Sequence, residues 1–325
     1  MNKDIKFFGI DISKDTFDVM DSDGNHYQFS NNFKHFLKFL KLLDNRSHCV
    51  MEATGYYHYQ LAYFLLEHNI TVSAENPLSI KRFIQMKLSK IKTDKSDAKM
   101  ICLYGQQVEM KLWKGSSSNQ LECLQMLSLL DIYTKQSTAL KNKIQINDVL
   151  PNPSKVVLKS LKQSLKHLQK EMLSIEEKLT VLVKSEHQQT LTKLESIPGL
   201  GRKTAIMLIV TTDGFTRFEN SSQLCSFSGL TPVIRQSGTS IRGKARISKT
   251  GNTKLRNLLF MCSLTACKHN KACREIYERI TNKGKSKKLA LIAVCNKLLK
   301  QAFAIAKSGV EYDAGYRSVL PMLKT

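Results

Sequence analysis

Four carboxylates stand where predicted core elements begin or end, an arrangement suited to holding a cation. Asp11 closes the apolar stretch GIDIS, and Glu52 follows the apolar run in VMEATG. Asp94 and Asp97 lie three residues apart in KTDKSDA, so a helix would direct both side chains to the same side. Carboxylate oxygens suit Mg²⁺, and two such ions can hold the attacking and leaving oxygens of a phosphoryl transfer. The sequence therefore predicts a magnesium site, with Mn²⁺ as the alternative metal.

A serine in a cationic segment forms the second constellation. Ser237 precedes Gly238 in RQSGTSIRGKARISKTGN, and the cations around it are Arg235, Arg242, Lys244, Arg246 and Lys249. From the residues alone, this segment is a flexible loop that binds phosphate without chemistry. A serine nucleophile needs an activator, and no neutral base lies beside Ser237 in the sequence. Metal ions held by the carboxylates would supply that activation, so both interpretations stay open.

A Pro-Gly-x-Gly turn lies between two helical runs in LESIPGLGRKTAIMLIVTT. Glycine-bearing turns that lead into a helix expose backbone N–H groups, which can hold a phosphate. The turn resembles the hairpin of helix-hairpin-helix DNA-binding motifs, and a plain turn between helices fits it equally well. The candidate nucleic-acid-binding residues outside the serine segment are Arg202, Lys203, Lys254 and Arg256.

The elements that must position the acids alternate between strands and helices over residues 1–110. IKFFGID and TFDVMD predict strands, and Asp23-Gly24 predicts a hairpin turn before HYQFS. HCVMEAT and ITVSAEN predict two further buried strands, and FKHFLKFLKLL, YYHYQLAYFLLEHN and TDKSDAKMICLYGQQ predict helices. The pattern indicates an α/β domain. We expect the remaining acids of the hairpin on its exposed face or in its turn, outside the site; they are Asp15, Asp18, Asp21 and Asp23.

Residues 111–190 form a helical arm according to their leucine spacing. Leu121, Leu124, Leu127 and Leu130 recur at helical intervals, and the pattern resumes in VVLKSLKQSLKHLQKEMLSIEEKLTVLV. The PNP at 151–153 interrupts it, because proline cannot continue a helix. Two long helices joined there predict an antiparallel coiled-coil arm that spaces or pairs subunits. Residues 191–325 are then a third, mainly helical domain.

The net charge of +23 is concentrated at the C-terminal end. Residues 1–110 contain 14 Lys and Arg and 13 Asp and Glu, a net of +1, and residues 111–200 contain 13 and 8, a net of +5. Residues 201–325 contain 23 and 6, a net of +17. Such an excess favours a polyanionic partner, because lysine and arginine release counterions from phosphates.

The eight cysteines and the apolar patterning point to a protein of the cytoplasm. No CxxC pair occurs, so the cysteines are interpreted as reduced packing residues without zinc or disulfides. No uninterrupted apolar run approaches the length of a membrane span, and the N-terminal segment lacks the features of a signal peptide. We therefore expect no membrane partner.

Several separated motifs, in one order, resemble a known family. GIDISKDTFDV, MEATGYYH, the NP at 76–77 and KTDKSDA are similar to the N-terminal domain of DEDD transposases. These enzymes are insertion-sequence recombinases related to the pilin-gene invertases. SIPGLGRKTA and FSGLTPVIRQSGTSIRGKARISKTGNTKLRNLL resemble the C-terminal transposase domain of the same family. The resemblance covers both ends of the chain and omits the 111–190 arm.

The resemblance implies a fold and a set of acidic residues. The N-terminal domain of the family is RNase H-like, with a sheet similar to that of the RuvC junction resolvase. Its four acidic positions fall on Asp11, Glu52, Asp94 and Asp97, all of which match. The implied organisation is a RuvC-like DEDD domain over 1–110, a coiled-coil arm over 111–190, and a C-terminal transposase domain over 191–325.

The resemblance also implies a catalytic role for the serine and identifies the partners of the protein. In the family, the serine of this SG pair attacks DNA and becomes joined to it, a role that falls on Ser237. The phosphoserine link conserves the energy of the cut strand, so no nucleotide cofactor is needed. Family members use an element-encoded bridge RNA that pairs with target and donor DNA, leaving backbone and shape to the protein. We expect a homo-oligomer, a dimer or a tetramer, in a prokaryotic cytoplasm and at the nucleoid when active.

The sequence thus predicts a transposase that cuts and rejoins DNA through a Mg²⁺-assisted serine. Two alternatives remain. A metal-dependent, structure-selective nuclease of junction-resolvase type would use the acids alone and make Ser237 dispensable. A non-catalytic nucleic-acid-binding protein would tolerate the loss of Asp11.

Overall fold

The chain divides into two compact units, Met1–Ser116 and Ser117–Thr325. The computed structural model describes residues 5–53, 55–88, 93–233, 236–237, 241–242 and 246–315, with backbone alone at 236–237 and 241–242. Arg235 and Lys244, two of the predicted nucleic-acid-binding residues, therefore lie outside the described residues. The mixed α/β first unit and the mostly helical second unit confirm the coarse fold class.

A five-stranded mixed sheet forms the first unit, in the order β3-β2-β1-β4-β5. Its strands are β1 (Lys6–Ile12), β2 (Thr16–Asp21), β3 (His26–Ser30), β4 (Ser47–Glu52) and β5 (Thr71–Glu75). The first three form an antiparallel meander, whereas β4 and β5 run parallel to β1. The predicted hairpin turn at Asp23-Gly24 is confirmed, with Gly24 at a φ of +89°. This strand order is consistent with the RNase H-like expectation.

Helices cover both faces of the sheet. They are α1 (Phe33–Leu40), α2 (His58–Glu67), α3 (Pro77–Met86) and α4 (Asp94–Gln107). Phe8, Ile10 and Ile12 point to the face packed with apolar residues of α1 and α2. Val50 points to the opposite face, where it packs with residues of α3 and α4. The alternation of strand residues thus assigns Gly9 and Asp11 to the α4 face.

Helix α3 is absent from the sequence prediction. It begins at Pro77 because Asn76 caps it: the side chain of Asn76 accepts a hydrogen bond from the Leu78 N–H at 2.8 Å. Asn before Pro is a helix start signal, since proline is favoured in the first turn.

The second unit contains seven helices and four short strands among its described residues. They are α5 (Ser118–Asp148), α6 (Lys155–Glu195), α7 (Arg202–Thr212), α8 (Ser221–Phe227), β6 (Pro232–Val233), β7 (Gln236–Ser237), β8 (Ile241–Arg242), β9 (Arg246–Ile247), α9 (Thr253–His269), α10 (Lys271–Asn282) and α11 (Lys287–Ser308). Their core is one apolar cluster built mainly from α6, α7, α9 and α11.

Helices α5 and α6 are the two long helices expected around the PNP interruption. They lie antiparallel, since Asn119 near the start of α5 donates to the Leu182 carbonyl in the second half of α6 at 3.3 Å. On α6, Leu161 and Leu168 are half-buried and line one surface depression together with Ala139 and Leu140 of α5. The antiparallel pair is thus present, and its coiled-coil character stays a prediction.

The segment that joins helices α4 and α5 belongs to the first unit. The Trp113 N–H donates to the Val72 carbonyl at 2.8 Å, and Ser73 donates through Oγ to the Lys111 carbonyl at 3.0 Å. Residues 111–116 therefore run beside β5. The division into domains at 1–110, 111–190 and 191–325 stays a prediction.

Helix α11 is, within the described ranges, the single helix long and apolar enough to cross a membrane by length and composition. It packs against α8, α9 and α10, and Val294, Leu298 and Leu299 are fully buried. The core helix of a water-soluble fold has the same composition, so the feature is weak evidence for a membrane span.

Replacing Asn270 with alanine should destabilise the second unit by about 2–4 kcal/mol. The buried side chain caps α10 by accepting from the Cys273 N–H at 3.2 Å and donates to Gln301 at 3.0 Å. It also accepts from the Tyr312 hydroxyl at 3.2 Å. Urea unfolding should show a lower midpoint with an unchanged slope. The exposed Asn282, replaced in the same way, is the control and should change little; equal midpoints for both variants would contradict the assignment.

Candidate active site

The carboxyl ends of parallel strands bring the first two acids to one edge of the sheet. Ile10 of β1 pairs with Met51 of β4, so Asp11 and Glu52 follow at the next position of each strand. Both residues are partly buried. Because side chains alternate along a strand, Asp11 and Glu52 belong to the face that carries α4.

A capping box fixes the start of α4 and hence the position of the other two acids. Thr93 accepts from the Ser96 N–H at 3.1 Å, and the Ser96 hydroxyl accepts from the Thr93 N–H at 2.9 Å. The helix therefore begins at Asp94, and Asp94 and Asp97 both lie in its first turn. Carboxylates are favourable there, since the helix dipole is positive at its N-terminus.

Gly9 allows α4 to lie directly on β1. A Cβ atom at this position would be 2.1 Å from the backbone nitrogen of Cys102 and 2.4 Å from the carbonyl oxygen of Ala98. No side chain fits between the two backbones. The absence of a Cβ two residues before Asp11 thus sets the distance between the acidic strand end and the helix that carries Asp94 and Asp97.

The electrostatics of Asp11 show that the four acids share one region. Burial, followed by the negative charges of Asp97, Asp94 and Glu52, raises the pKa of Asp11 to about 6. A carboxyl responds in this way when like charges surround it without a compensating cation. The structure therefore brings the four predicted carboxylates together around the α4 face of the sheet edge.

The four carboxylates are of the ligand type that hard divalent cations prefer. All four groups offer carboxylate oxygens, and a cation would relieve the repulsion that raises the pKa of Asp11. Over the ranges that the structure describes, however, no group of three or more Asp, Glu, His or Cys side chains is placed so that it could hold a metal ion. The structure thus supplies carboxylate ligands in one region, and their use as a Mg²⁺ site stays a prediction.

Asp18 is a fifth carboxylate beside the site, and the prediction that it lies on an exposed face is wrong. Asp18 is 3% exposed and pairs directly with Asp11 across the antiparallel strands. It accepts hydrogen bonds from His26 at 2.7 Å and from Gln28 at 3.2 Å. Its charge also contributes to the raised pKa of Asp11. The signal that could have found it is the hairpin register, which places positions 11 and 18 opposite one another.

Asp21 lies at the hairpin turn, as expected, although its side chain is buried and only 3% exposed. Its carboxylate accepts from the N–H groups of Asn25 at 2.8 Å and Asp23 at 3.0 Å, and Lys6 lies 3.4 Å away. Asp21 thus stabilises the hairpin turn. Asp15 and Asp23 are exposed, as expected.

Glu75 is a further acid that the sequence analysis did not single out. It ends β5 and pairs in register with Glu52 of the parallel strand β4. Burial raises the pKa of Glu75, and the Tyr104 hydroxyl of α4 lies 3.5 Å from its carboxylate. The sequence signal was available, since Glu75 follows a buried strand as Glu52 does.

Ser237 lies in a two-stranded ribbon of the second unit, where the sequence indicated a loop. Ser237 pairs with Ile241, and Gln236 pairs with Arg242. Pro232 and Val233 pair with Ile247 and Arg246 in the same antiparallel sense. The side chains of Ser237 and Arg242, like residues 238–240, lie outside the described residues. Strands of two residues carry too little periodicity to be recognised in a sequence.

The remaining predicted nucleic-acid-binding residues fall into three groups. Arg202, Lys203 and Lys254 form ion pairs at the surface of the second unit, with Glu195, Glu176 and Asp131 respectively, at 2.5, 2.6 and 2.9 Å. Arg256 donates to the Ser228 carbonyl and to the Thr253 hydroxyl. Arg246 and Lys249 are exposed. Surface ion pairs are weak, so the first group remains able to contact phosphates.

The predicted Pro-Gly-x-Gly turn packs on α9. Gly199 has a φ of +97°, and a Cβ atom there would lie 2.7 Å from the Cα atom of Ala266. The turn therefore supports the contact between α7 and α9, whereas Gly201 at the start of α7 is exposed.

Comparison with known proteins gives two family matches that together cover most of the chain. Residues 8–150 match the DEDD transposase model of IS110 type, and residues 191–278 match the model described as the transposase IS116/IS110/IS902 family. The acidic sheet edge lies in the first match and the serine ribbon in the second. The protein is a DNA transposase.

Full-length relatives agree with these matches. The pilin gene-inverting protein of Moraxella lacunata is 28% identical over 319 residues, which is 94% of this chain and 97% of the relative. The transposase for insertion sequence element IS1111A of Coxiella burnetii is 26% identical over 298 residues, 83% of this chain and 80% of the relative. The chain belongs to the IS110 family of insertion-sequence transposases, which confirms the resemblance. Membership in this DEDD family suggests a dependence on divalent metal.

Proposed function

We propose that this transposase cuts and rejoins DNA at the ends of its insertion sequence through a covalent link to Ser237. The observation that carries the proposal is the acidic sheet edge, where burial and the charges of Asp97, Asp94 and Glu52 raise the pKa of Asp11 to about 6. Such an accumulation of negative charge around a partly buried carboxyl costs stability, and a function that needs a cation at the scissile phosphate explains its presence.

Asp11, Glu52, Asp94 and Asp97 would hold Mg²⁺, or Mn²⁺ in its place. An ion held there would supply Lewis-acid chemistry at the phosphate and at the attacking hydroxyl. Ser237 attacks the phosphorus, a serine–phosphate ester forms, and the bond to the DNA hydroxyl breaks. In the rejoining step, the hydroxyl of the partner strand attacks the ester and releases the serine. One ester replaces another at each step, so no nucleotide cofactor enters.

The cations of the serine ribbon would stabilise charge on the transferring phosphate. Arg246 and Lys249 are exposed, and Arg235, Arg242 and Lys244 belong to the same segment of the sequence. Fixed cations at a developing negative charge lower the barrier, since they need no reorganisation during the reaction. Lys254, Arg256, Arg202 and Lys203 would contact the DNA backbone.

An element-encoded bridge RNA would choose the target and donor sequences by base pairing. The net charge of +17 on residues 201–325 is compatible with two nucleic-acid partners. The protein would then read backbone and shape, as in other RNA-guided enzymes.

Subunits would pair through α5 and α6 as a coiled-coil arm, giving a dimer or a tetramer. Recombination brings two duplexes together, and a multimer supplies a site for each strand to be cut. A monomer on a DNA-loaded sizing column would contradict this assembly. The place of action is the cytoplasm, at the nucleoid when the enzyme is active.

A junction assay in cells tests the proposed function. The transposase is expressed with its native flanking DNA, and excised or rejoined products are amplified. Wild type should give junctions, whereas Ser237→Ala and Asp97→Ala should each lower them by at least ~100-fold. Ser248→Ala in the same segment and Asp15→Asn on the exposed hairpin are matched controls that should retain activity.

The variants separate the proposal from its alternatives. Recombination by Ser237→Ala would contradict the covalent serine and leave the chemistry to the acids alone, as in a junction-resolving nuclease. Recombination by Asp97→Ala would contradict the role of the acidic site.

A further inference from the structure

Helix α6 carries a row of exposed lysines along one face of its first half. The five residues are Lys155, Lys159, Lys162, Lys166 and Lys170, and all are exposed. At 100° per residue, their positions fall within an arc of about 80° on the helix, and at 1.5 Å per residue the row is about 22 Å long. Four of them line one shallow surface depression together with Leu158 and Gln163. We call this row the α6 lysine face.

Few acidic residues lie near the α6 lysine face. Residues 149–171 contain these five lysines and Glu171, and residues 131–148 of the partner helix add three lysines, Asp131 and Asp148, with Asp131 paired to Lys135. Eight lysines and three acids give this part of the arm a net charge of +5. Among the described residues, none of the five lysines forms an ion pair, whereas Lys203 and Lys254 of the same unit do.

Helix packing does not account for the row. Leu161 and Leu168 of α6 are half-buried and line one depression together with Ala139 and Leu140 of α5, on a different side of α6 from the lysines. Like charges three and four residues apart instead destabilise a helix by roughly 0.2–0.5 kcal/mol per pair. Four such pairs occur along the row. A partner with negative charge would convert this repulsion into attraction.

We propose that the α6 lysine face binds the phosphate backbone of duplex DNA beside the recombination site. B-DNA carries one negative charge per about 1.7 Å of axis, so about 13 phosphates lie within the ~22 Å length of the row. Lysine suits such contact, because a flexible point charge reads no sequence. DNA is the substrate of a transposase, and this inference rests on family membership without requiring the serine mechanism. The arm then has a second role, holding flanking DNA in addition to its own helix packing.

Salt-dependent binding tests the proposal. In one variant, all five lysines of the α6 lysine face are replaced by glutamine, which keeps the stem and the helix propensity. The matched control replaces five exposed lysines of the first unit by glutamine, Lys14, Lys34, Lys38, Lys41 and Lys81, and removes the same charge. Fluorescence anisotropy with a 40-base-pair duplex gives the affinity of the full-length protein at several salt concentrations.

The expected result is a lower salt dependence for the α6 variant alone. Each lost phosphate contact reduces the slope of log K against log salt by about 0.9, so loss of all five predicts a reduction of about 4.5. A reduction that exceeds that of the control by two or more supports the proposal, and a smaller difference overturns it. Thermal unfolding should show an unchanged or higher Tm, since like-charge pairs are removed.

Binding experiments with other ligands test alternative partners, and a catalytic variant separates DNA binding from the proposed catalysis. The DNA proposal is overturned if the α6 variant shows the same salt dependence of DNA binding as the control but no longer binds a folded RNA hairpin or vesicles containing phosphatidylserine. Ser237→Ala should retain the wild-type slope. If that variant gives no recombination junctions but keeps the wild-type salt dependence of DNA binding, the chemical step and the DNA contact are separate functions.

Discussion

Asp11→Asn is expected to abolish recombination and, in metal-free buffer at pH 7, to raise the thermal stability of the first unit. Both effects have one cause. In the folded chain, burial and the charges of Asp97, Asp94 and Glu52 raise the pKa of Asp11 to about 6. Asparagine removes that repulsion and at the same time removes a proposed metal ligand. Loss of a ligand should lower activity by well over the ~10–100-fold seen when only its supporting partners are removed.

The sign of the pH dependence follows from the direction of the shift. The pKa of an unfolded aspartate is about 3.9, so the folded state binds the proton more tightly. Stability contributed by protonated Asp11 is therefore lost as the pH rises from about 4 to about 6. One pKa unit corresponds to about 1.4 kcal/mol, and solvent screening of this partly exposed carboxyl reduces the effect, so we expect about 1–2 kcal/mol at pH 7.

Thermal unfolding at pH 5 and pH 7, with and without Mg²⁺, measures this effect. Asp11→Asn should exceed wild type by a few degrees at pH 7 without metal, and by less at pH 5. Added Mg²⁺ should raise the Tm of wild type more than that of the variant, because ligands stabilise the state that binds them. Asp15→Asn, an exposed acid of the same hairpin, should behave as wild type. A lower Tm for Asp11→Asn in metal-free buffer at pH 7 would contradict the crowded-carboxylate interpretation.

The sequence identified the acids because their signals are local. Apolar runs before Asp11 and Glu52 mark strand ends, and the carboxyl ends of parallel strands share an edge. The spacing of Asp94 and Asp97 becomes meaningful once Thr93 and Ser96 cap the helix. Each of these inferences needs only a few neighbouring residues.

The burial of Asp18 was not predictable in the same way. Asp18 lies in an alternating strand that looks half-exposed in isolation, yet α4 packs against both β1 and β2 and covers that face. The cover depends on a helix about 80 residues later in the chain. The close approach of α4 to β1 is possible because Gly9 has no side chain. A glycine by itself predicts neither a helix nor a strand.

The ion pairs of the second unit illustrate the same limit. Lys203 meets Glu176 and Lys254 meets Asp131 across long sequence separations. Only the packing of α5, α6, α7 and α9 determines these partners. The lysines that remain without carboxylate partners among the described residues, such as those of the α6 lysine face, are therefore recognisable from the structure and not from composition.

Gly9→Ala is expected to reduce recombination by at least ~100-fold and to destabilise the first unit by about 3 kcal/mol. The added methyl group would lie 2.1 Å from the Cys102 nitrogen and 2.4 Å from the Ala98 oxygen. Both are backbone atoms of α4, so neither can move aside as a side chain would. The helix itself must shift, and its first turn carries Asp94 and Asp97. A displacement of about 1 Å at reacting groups suffices for a hundredfold loss of rate.

The measurements for Gly9→Ala must separate a displaced helix from an unfolded unit. Circular dichroism at a temperature well below the Tm should show wild-type helix content, and binding of the 40-base-pair duplex should remain. The Mg²⁺-induced rise in Tm should shrink, because the carboxylates no longer face one another at the original distance. Gly24→Ala is the control: a Cβ atom there meets no neighbour, although the φ of +89° carries a modest strain. Full recombination by Gly9→Ala would contradict the view that contact between β1 and α4 sets the geometry of the acidic site.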